Sequence, residues 1–265
     1  DSSGQPPRPF ITVKREGNGS TNITNSELAY LGYGEVQGHG LSYYGGNKSI
    51  LRNNNIHNLE MGFYSDGVKG ILIENNHVHH NKAYGLDPHS RTHDMIIRGN
   101  IVHDNGHIGI ICSGHCRNIT IEQNEVYNNA GSAILLSIDM KNSVVRNNYI
   151  HDSEIGIGIA NSDDNQVYEN KVSFSNDGIK VMENSSNNYI YNNIFEGIKK
   201  YEDSNQTIPF HFKGIKKFDR ESIINILSFY EAAVISSTRL TFIQKYMELN
   251  AELLKELRNK YHIKD

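Results

Sequence analysis

The chain has 265 residues and a formal net charge of −4, from 26 basic and 30 acidic side chains. This near balance argues against a general nucleic-acid-binding protein, which would normally be basic, but it allows a local basic cleft for an acidic substrate. No run of about 18 apolar residues is present, so we expect no membrane span. Two cysteines are too few for a disulfide framework.

The first 47 residues lack the regularity of the segment that follows them. They contain stretches rich in Gly, Asn, Ser and Tyr at 17–25 and 33–46, and such stretches are typical of irregular connections. We predict that residues 1–47 form an irregular lead-in with one imperfect coil. This lead-in would cap the repeats that follow, because terminal repeats would otherwise expose apolar core and strand edges.

Residues 48–197 carry a repeat that reads Asn, any residue, then Ile or Val. The first copy begins at Asn54 and the last at Asn192, and successive copies are 22 to 24 residues apart. A fixed period of this length indicates a solenoid, and short alternating apolar runs between Asn, Gly and Asp turns indicate strands. The sequence therefore predicts an all-β fold, a parallel β-helix of about seven coils. Its Ile and Val residues would stack into a narrow core, and its Asn residues would form a hydrogen-bonded ladder.

Several copies of the repeat place a His directly after the Ile or Val. A His that recurs at one position of a repeat is better explained as a turn residue than as a catalyst. A stacked column of imidazoles would also suit a metal ion, but this is the weaker interpretation, and we assign no metal ligand from the sequence. The residues at this position are His57, His79, His103 and His151.

The repeat ends after Gly197, and the pattern of the chain changes. Within residues 219–263 apolar side chains recur at spacings of three and four, which is typical of amphipathic helices. Asp219 and Ser237 are suitable N-caps. We predict that residues 198–265 contain two helices that cover the C-terminal end of the solenoid, with a dimerisation hairpin as the alternative.

One coil breaks the monotony of the repeat, at residues 82–94, Lys-Ala-Tyr-Gly-Leu-Asp-Pro-His-Ser-Arg-Thr-His-Asp. Proline cannot donate to a sheet ladder, so we expect the strand to end at Pro88 and a fixed turn to aim His89. By the alternation of a strand, Leu86 points inward, and Asp87 and His89 point outward. We predict that four side chains border one exterior groove, namely Tyr84, Asp87, His89 and Arg91. Others from this and adjacent coils would join them, namely Lys82, Tyr64, Asp66, Ser113, Ser137, His115 and Arg117.

The stretch Tyr84–His89, Tyr-Gly-Leu-Asp-Pro-His, resembles a motif of the mannuronan (alginate) C5-epimerases. Arg91 extends the likeness to the form of the motif found in periplasmic epimerases. The later stretch Val102–Gly106, Val-His-Asp-Asn-Gly, is similar to a segment of secreted epimerases. The resemblance implies a right-handed parallel β-helix that acts on polymeric β-D-mannuronate, with the motif's Tyr, Asp and His in the catalytic site.

This chain departs from the family's pattern in the next coil. The secreted enzymes carry acidic residues where this chain has Ile108 and Ser113. The periplasmic enzymes carry an Arg after the Ser of that coil, where only His115 or Arg117 would stand in.

Epimerisation at C5 of a uronate removes a proton α to a carboxylate, so the site must stabilise an enolate-like intermediate. We expect Arg91 to neutralise the carboxylate, with Lys82 or Arg117 as substitutes. His89 suits the base, and Tyr84 suits the acid on the opposite face if a nearby cation lowers its pKa. Asp87 would orient the imidazole. The alternatives are a lyase that expels the 4-O substituent of the same intermediate, and a non-catalytic carbohydrate-binding β-helix.

The expected partner is an anionic polysaccharide of the polyuronate class, and this substrate implies an extracellular, periplasmic or cell-surface location. We expect no required cofactor. Calcium is the one ion that the turn aspartates would accommodate, although they lack the pattern of calcium-binding nonapeptide repeats. Cys112 and Cys116, near His107 and His115, fit no standard zinc spacing, so we expect Cys112 to be a buried thiol. The turn aspartates are Asp139, Asp152, Asp163, Asp164 and Asp177.

Overall fold

The computed structural model describes residues 8–16, 19–34, 38–182 and 184–198. In these ranges the chain forms 24 short strands. The predicted C-terminal helices lie outside the described residues, and the predicted boundary at residue 198 stays a prediction. None of the described segments forms a helix with the length and apolar character needed to span a membrane.

The strands follow one another around the solenoid. In chain order they are β1 (Ile11–Val13), β2 (Asn22–Thr24), β3 (Glu27–Ala29), β4 (Gly40–Tyr43), β5 (Ile50–Arg52), β6 (Asn55–His57), β7 (Met61–Asp66), β8 (Leu72–Glu74), β9 (His77–His79), β10 (Leu86–His89), β11 (Ile96–Arg98), β12 (Ile101–His103), β13 (Ile110–Ser113), β14 (Thr120–Glu122), β15 (Glu125–Tyr127), β16 (Ser132–Ser137), β17 (Val144–Arg146), β18 (Tyr149–His151), β19 (Ile155–Ala160), β20 (Gln166–Tyr168), β21 (Lys171–Ser173), β22 (Asp177–Met182), β23 (Tyr189–Tyr191) and β24 (Ile194–Glu196).

Every third strand joins the same sheet, so the described chain builds three parallel sheets of eight strands. Sheet A starts at β1, sheet B at β2 and sheet C at β3. Sheets B and C each hold seven strands between Ile50 and Glu196, and the lead-in contributes the eighth. The prediction of an all-β parallel β-helix with about seven regular coils is therefore confirmed.

The core is a narrow apolar column, because each coil sets its aliphatic side chain directly on that of the next coil. Ile97 pairs in register with Ile73 and Ile121, and Val102 pairs with Val78 and Val126. These side chains are fully or almost fully buried. A chain with a modest apolar content folds in this way because one or two apolar residues per strand fill the interior.

Buried asparagines form the ladder that the repeat predicts. The Nδ2 atom of Asn100 donates to Oδ1 of Asn124 at 3.0 Å, and Nδ2 of Asn124 donates to Oδ1 of Asn148 at 3.0 Å. The Oδ1 atom that accepts each of these bonds also accepts a backbone N–H, so the buried amides are satisfied. A second ladder that the sequence reading did not identify runs through Asn81, Asn105 and Asn129.

The last rung of the first ladder differs from the sequence reading by one residue. Asn170 donates to Oδ1 of Asn193 at 2.9 Å, not to Asn192. Asn192 instead occupies the turn position with φ of 53°, equivalent to Glu169 with φ of 54°. Only Asn192 fits the pattern of Asn, any residue, then Ile or Val, because Phe195 stands two residues after Asn193. Phe195 nevertheless takes the core position that pairs with Val172, and this register sets Asn193 in the ladder.

Candidate functional site

The strand that carries Pro88 is bonded differently to its two neighbours. Strand β10 pairs with β7 along its whole length, from Leu86 to His89, but it pairs with β13 only at Leu86. Proline has no N–H to donate toward β13, and the ladder resumes where Ser90 N–H donates to the Ser113 carbonyl at 3.0 Å. The C-terminal end of β10 is therefore paired along its length with β7 but lacks regular backbone pairing with β13.

The imidazole of His89 faces the carboxylate of Asp87. The Nδ1 atom of His89 lies 3.3 Å from Oδ1 of Asp87, and the two side chains are 34% and 4% exposed. The hydrogen bond to Asp87 raises the pKa of His89, and burial raises the pKa of Asp87. Asp87 lies on the same side as His89, as alternation predicts, but it is buried there. Because its Nδ1–H is directed at Asp87, His89 presents Nε2 as its basic nitrogen.

Two further aromatic rings belong to this site. The Tyr64 ring stacks on His89 with centroids 5.8 Å apart, and the His39 ring lies 4.5 Å from Tyr64. His39 Nδ1 is buried and has no hydrogen-bond partner among the described residues. Burial lowers the pKa of His39, so it is a neutral imidazole at pH 7. The sequence analysis missed His39, because it lies in the lead-in, where no repeat marks its position.

Tyr84 lies just before β10, with its ring packed edge-on against His107 at 5.2 Å. Burial and the nearby charge of Asp87 raise the pKa of Tyr84. The condition set for Tyr84, a nearby cation that lowers its pKa, is therefore not met among the described residues. A tyrosine with a raised pKa remains a protonated phenol, which suits a proton donor and not a base. Gly85, next to it, is required by packing, since a Cβ there would lie 2.5 Å from the Gly109 carbonyl oxygen.

Of the remaining candidates from the sequence, Asp66 and Ser113 lie close to His89 and its turn, whereas Lys82 and His115 are exposed and ion-paired. Asp66 is the register partner of His89, and Ser113 is buried beneath the turn after β10. Lys82 is ion-paired with Glu60 at 3.1 Å, and His115 with Asp139 at 2.8 Å, and both side chains are largely exposed. Neither Lys82 nor His115 is among the residues that line the cationic groove described next, and their role in substrate binding stays a prediction.

A groove of about 730 Å³ lies beside this end of sheet A and is lined by cationic side chains. Arg91 and Arg117, both predicted from the sequence, line it together with residues that the sequence analysis did not single out. It adjoins the His89 site, because Arg15 lies 3.8 Å from Asp66 and the Tyr44 ring lies 5.8 Å from Tyr64. The full lining is Arg15, Tyr44, Gly45, Gly46, Asn47, Lys48, Gly67, Arg91, His93 and Arg117.

A column of basic residues runs along the coils at this turn. Lys69, His93, Arg117 and Lys141 are joined in parallel bridges, one from each successive coil. Successive coils are about 4.8 Å apart, the usual spacing of paired strands. The lining of the groove includes no acidic residue. Lys69 and Lys141 of this column are ion-paired with Asp94 and Asp139, so the positive charge that suits a polyanion is that of Arg91 and Arg117 in the groove.

Sheet C carries a second group of titratable residues, in coils that also contribute to the groove but on a different sheet. The rings of His57, His79, His103, Tyr127 and His151 form one continuous stack, with neighbouring centroids 4.6 to 5.2 Å apart and planes within 8° of parallel. The interpretation of these histidines as turn residues is wrong, because each is the last residue of a sheet C strand and the turn begins at the next residue. Each ring covers the ring of the next coil.

Around the middle of this stack lies a group that we call the histidine cluster, defined as His77, His79, His80, His103 and Asp104. The Nε2 atoms of His77 and His103 are 2.7 Å apart, and the Nδ1 atoms of His79 and His80 are 2.8 Å apart. Nδ1 of His103 lies 2.6 Å from Oδ2 of Asp104. Burial and neighbouring imidazoles lower the pKa of His77, and they lower the pKa of His79 to about 4.

The cysteines and the turn aspartates, which are also potential metal ligands, lie apart from the histidine cluster. Cys112 and Cys116 are buried free thiols, as expected for Cys112. Asp139 contacts Lys141 and His115, and Asp163 lies near Lys141. In the part of the chain that the structure describes, the group of three ligands near enough to share an ion is His80, His103 and Asp104. Calcium binding at the turn aspartates stays a prediction.

The family of periplasmic copper-binding proteins called NosD matches residues 18–213 of this chain. The chain belongs to the NosD family. Similarity to epimerases is also found, so the resemblance drawn from Tyr84–His89 is confirmed. A mannuronan C5-epimerase of Pseudomonas fluorescens is 32% identical over 102 residues, which cover 34% of this chain and 19% of that protein.

Solved structures agree with this relationship. The periplasmic alginate epimerase AlgG is 27% identical with a TM-score of 0.67, over 76% of this chain and 52% of that one. The A-module of the mannuronan C-5 epimerase AlgE4 of Azotobacter vinelandii, at 17% identity and a TM-score of 0.58, covers 68% of this chain and 54% of that one and shows the fold alone. This chain spans about half the length of these structures and a fifth of the Pseudomonas protein.

Proposed function

We propose that this NosD-family chain is an isomerase that epimerises C5 of β-D-mannuronate residues in a polyuronate. The observation that carries this proposal is the imidazole–carboxylate pair of His89 and Asp87, which adjoins a groove lined by cations and free of acidic lining residues. The names of its epimerase relatives support the same substrate class. We further propose an extracytoplasmic location and a right-handed winding of the coils, as the resemblance implies.

The reaction begins with removal of the C5 proton by Nε2 of His89. The electron pair of the C5–H bond moves into the C6 carboxylate and gives an enolate-like intermediate, which needs a cation beside it. Arg91 and Arg117 line the groove and are suited to bind the carboxylate through charge-assisted hydrogen bonds. Asp87 keeps the imidazole in the tautomer that leaves Nε2 free to accept the proton.

The second proton transfer comes from the opposite face of the sugar. Tyr84 is the proposed donor, because its raised pKa keeps the phenol protonated until the intermediate forms. Its hydroxyl proton goes to C5, and the phenolate then recovers a proton from solvent while His89 releases the one it took. The configuration at C5 is inverted, and His89 and Tyr84 return to their starting protonation states.

Proton NMR of polymannuronate incubated with the protein in D₂O tests this function. We expect new guluronate signals with deuterium at C5. The variant Tyr84→Phe should still exchange deuterium at C5 through His89 but should form at least about 100-fold less guluronate, the usual weight of a general acid. Asp152→Asn on sheet C is the matched control and should behave as the unaltered chain. Olefinic signals would show that the protein is a lyase and not an epimerase. An unchanged spectrum together with polymer binding would show that it is a non-catalytic binding protein.

We propose metal binding as a second function, in line with the description of the family as copper-binding. The observation that favours it is the histidine cluster, since neutral imidazoles and carboxylates are suitable ligands for Cu²⁺ and Zn²⁺. Equilibrium dialysis of the full chain, without an affinity tag, against Cu²⁺ tests it. Binding of at least one ion per chain is expected, and absence of binding would overturn this second function.

A further inference from the structure

The histidine cluster contains three side chains that are near enough to share one ion. One ring nitrogen of His80, one of His103 and a carboxylate oxygen of Asp104 all lie within 4.8 Å of one another. Two nitrogens bound to the same ion at about 2.0–2.1 Å are themselves about 3.0–3.4 Å apart. Small rotations of these side chains would therefore bring the three donor atoms to ligand distance, with no change in the backbone.

The imidazoles of His80 and His103 each contact a further imidazole through one ring nitrogen. Nε2 of His103 contacts Nε2 of His77, and Nδ1 of His80 contacts Nδ1 of His79. A metal-bound histidine usually has its other ring nitrogen fixed by a neighbouring group, and such contacts set its orientation and basicity. Here the chain supplies that second contact for each imidazole. Stacking of His79 on His103, at 5.2 Å, fixes the rings further.

The surroundings of Asp104, which resemble those of Asp152, differ from those of Asp94 and Asp139. Asp94 and Asp139 are paired with Lys69 and Lys141. Among the described residues, the ion pair that Asp104 forms is with His103, and no lysine or arginine neutralises it. His80 is exposed and Asp104 is partly exposed, so an ion has direct access from solvent.

The repeat itself offers a comparison with a site that lacks one ligand. His151 and Asp152 form the same pair as His103 and Asp104, with Nδ1 of His151 2.7 Å from Oδ2 of Asp152. The coil before that pair places Asn128 at the position that His80 occupies beside His103. All of these turn positions have φ near 50°, so they are structurally equivalent.

From this juxtaposition we propose that His80, His103 and Asp104 ligate one borderline transition-metal ion such as Cu²⁺. His77 and His79 fix the two ligating imidazoles from the second ring nitrogen. The inference rests on the second proposed function and names the site for it. It is independent of the epimerase site on sheet A.

The test compares Cu²⁺ affinity among three forms of the full chain by isothermal titration, with the electron paramagnetic resonance of the bound Cu²⁺ as the second readout. The double variant His80→Asn with Asp104→Asn removes two ligands. Asparagine is already present at the equivalent turn positions 58 and 128, so the fold should tolerate it. Asp152→Asn is the control for the aspartate change, because it makes the same Asp→Asn substitution two coils away from the site.

We expect the double variant to bind Cu²⁺ at least about 100-fold more weakly and to lose the nitrogen hyperfine pattern, since outer contacts alone are worth about 10- to 100-fold in affinity. The control should stay within twofold of the unaltered chain. If the double variant keeps full affinity while the unaltered chain binds copper, the site is wrong and the second function stands. If the unaltered chain does not bind copper, both are overturned.

Discussion

The end of sheet A and the face of sheet C use the same residue type, histidine, in opposite ways. On sheet C, His57, His79 and His103 recur at one register position and mainly contact other rings. On sheet A, His89 is paired with a buried carboxylate and adjoins a cationic groove. The difference teaches that the repeat supplies only the position of a side chain. Its chemistry comes from the neighbours that the adjacent coils supply.

The break in the repeat at Pro88 is what separates the two regions. Sheet C keeps unbroken pairing through the same coils, so its histidines stack in register. Sheet A loses the ladder to β13 after Leu86, and the turn that follows holds Ser90 and Arg91 at positive φ. The irregular strand end places Asp87 and His89 in contact directly before the turn that carries Arg91.

The most direct test of this difference between the two regions is to remove one histidine from each. His89→Gln should lower the rate of C5 deuterium exchange by at least about 100-fold, because a general base contributes about 10²- to 10⁴-fold. His151→Gln on sheet C should leave the rate unchanged. Equal losses in both variants would mean that the two regions do not differ in the way we describe.

The asparagine ladder that contains Asn124 runs through the coils that carry both regions, and it should contribute to stability and not to chemistry. Asn124→Ala would leave the carbonyl of Ile97 and the amide of Asn100 without the partners they have now. The free energy of unfolding should fall by about 1–3 kcal/mol, the cost of unsatisfied buried groups. Urea denaturation would measure it, with the exposed Glu154→Ala as the control. A loss as small as that of the control would show that the ladder is not a stabilising feature.

Arg91 tests whether the groove binds the substrate carboxylate. Arg91→Gln should lower kcat/KM on polymannuronate by about 10- to 100-fold, since a hydrogen bond to a charged group is worth about 1.5–3 kcal/mol. Arg52→Gln is the control, because Arg52 is ion-paired with Glu74 on sheet B. The salt dependence of KM should weaken only in the Arg91 variant. Parallel behaviour of the two variants would place the substrate elsewhere.

The effect of Asp87 on His89 can be tested through the pH dependence of the rate. His89 acts as a base only when deprotonated, so activity falls as the pH drops through its pKa, which Asp87 raises above the usual 6.5. In Asp87→Asn the acid limb of the rate profile should therefore move to lower pH, with a reduced maximum. An acid limb that stays in place would contradict the pairing.

The same variant should alter the pH dependence of stability. Burial raises the pKa of Asp87 in the folded chain above its usual 3.8, so its contribution is fully present below pH 3.8 and is lost as the pH rises through the folded pKa. Thermal unfolding of Asp87→Asn should lack this loss. His89→Gln, which removes the partner and keeps the buried carboxylate, should retain or enlarge it.

Several features of the site could be predicted from the sequence. The motif at 84–89 located His89 and Asp87 on one side of a strand, because a strand alternates and the repeat defined its register. The outward placement of Asp87 was predicted, but its burial was not, since that depends on rings from neighbouring coils. Lys82 was predicted as a substitute for Arg91, and His115 as a stand-in for the Arg of the periplasmic epimerases. The structure shows them ion-paired with Glu60 and Asp139, and their role in substrate binding stays a prediction.

The sequence by itself determined the solenoid, its period and the buried columns, because a repeated pattern of one apolar residue per strand has few other ways to bury its core. Only the tertiary structure placed His39 beside Tyr64 at the His89 site and brought Arg15 to the groove. These residues lie in the irregular lead-in, which has no period to fix its register. The tertiary structure likewise set His80 beside Asp104, since the contact between turns of successive coils depends on the rotamers and the stacking of the rings between them.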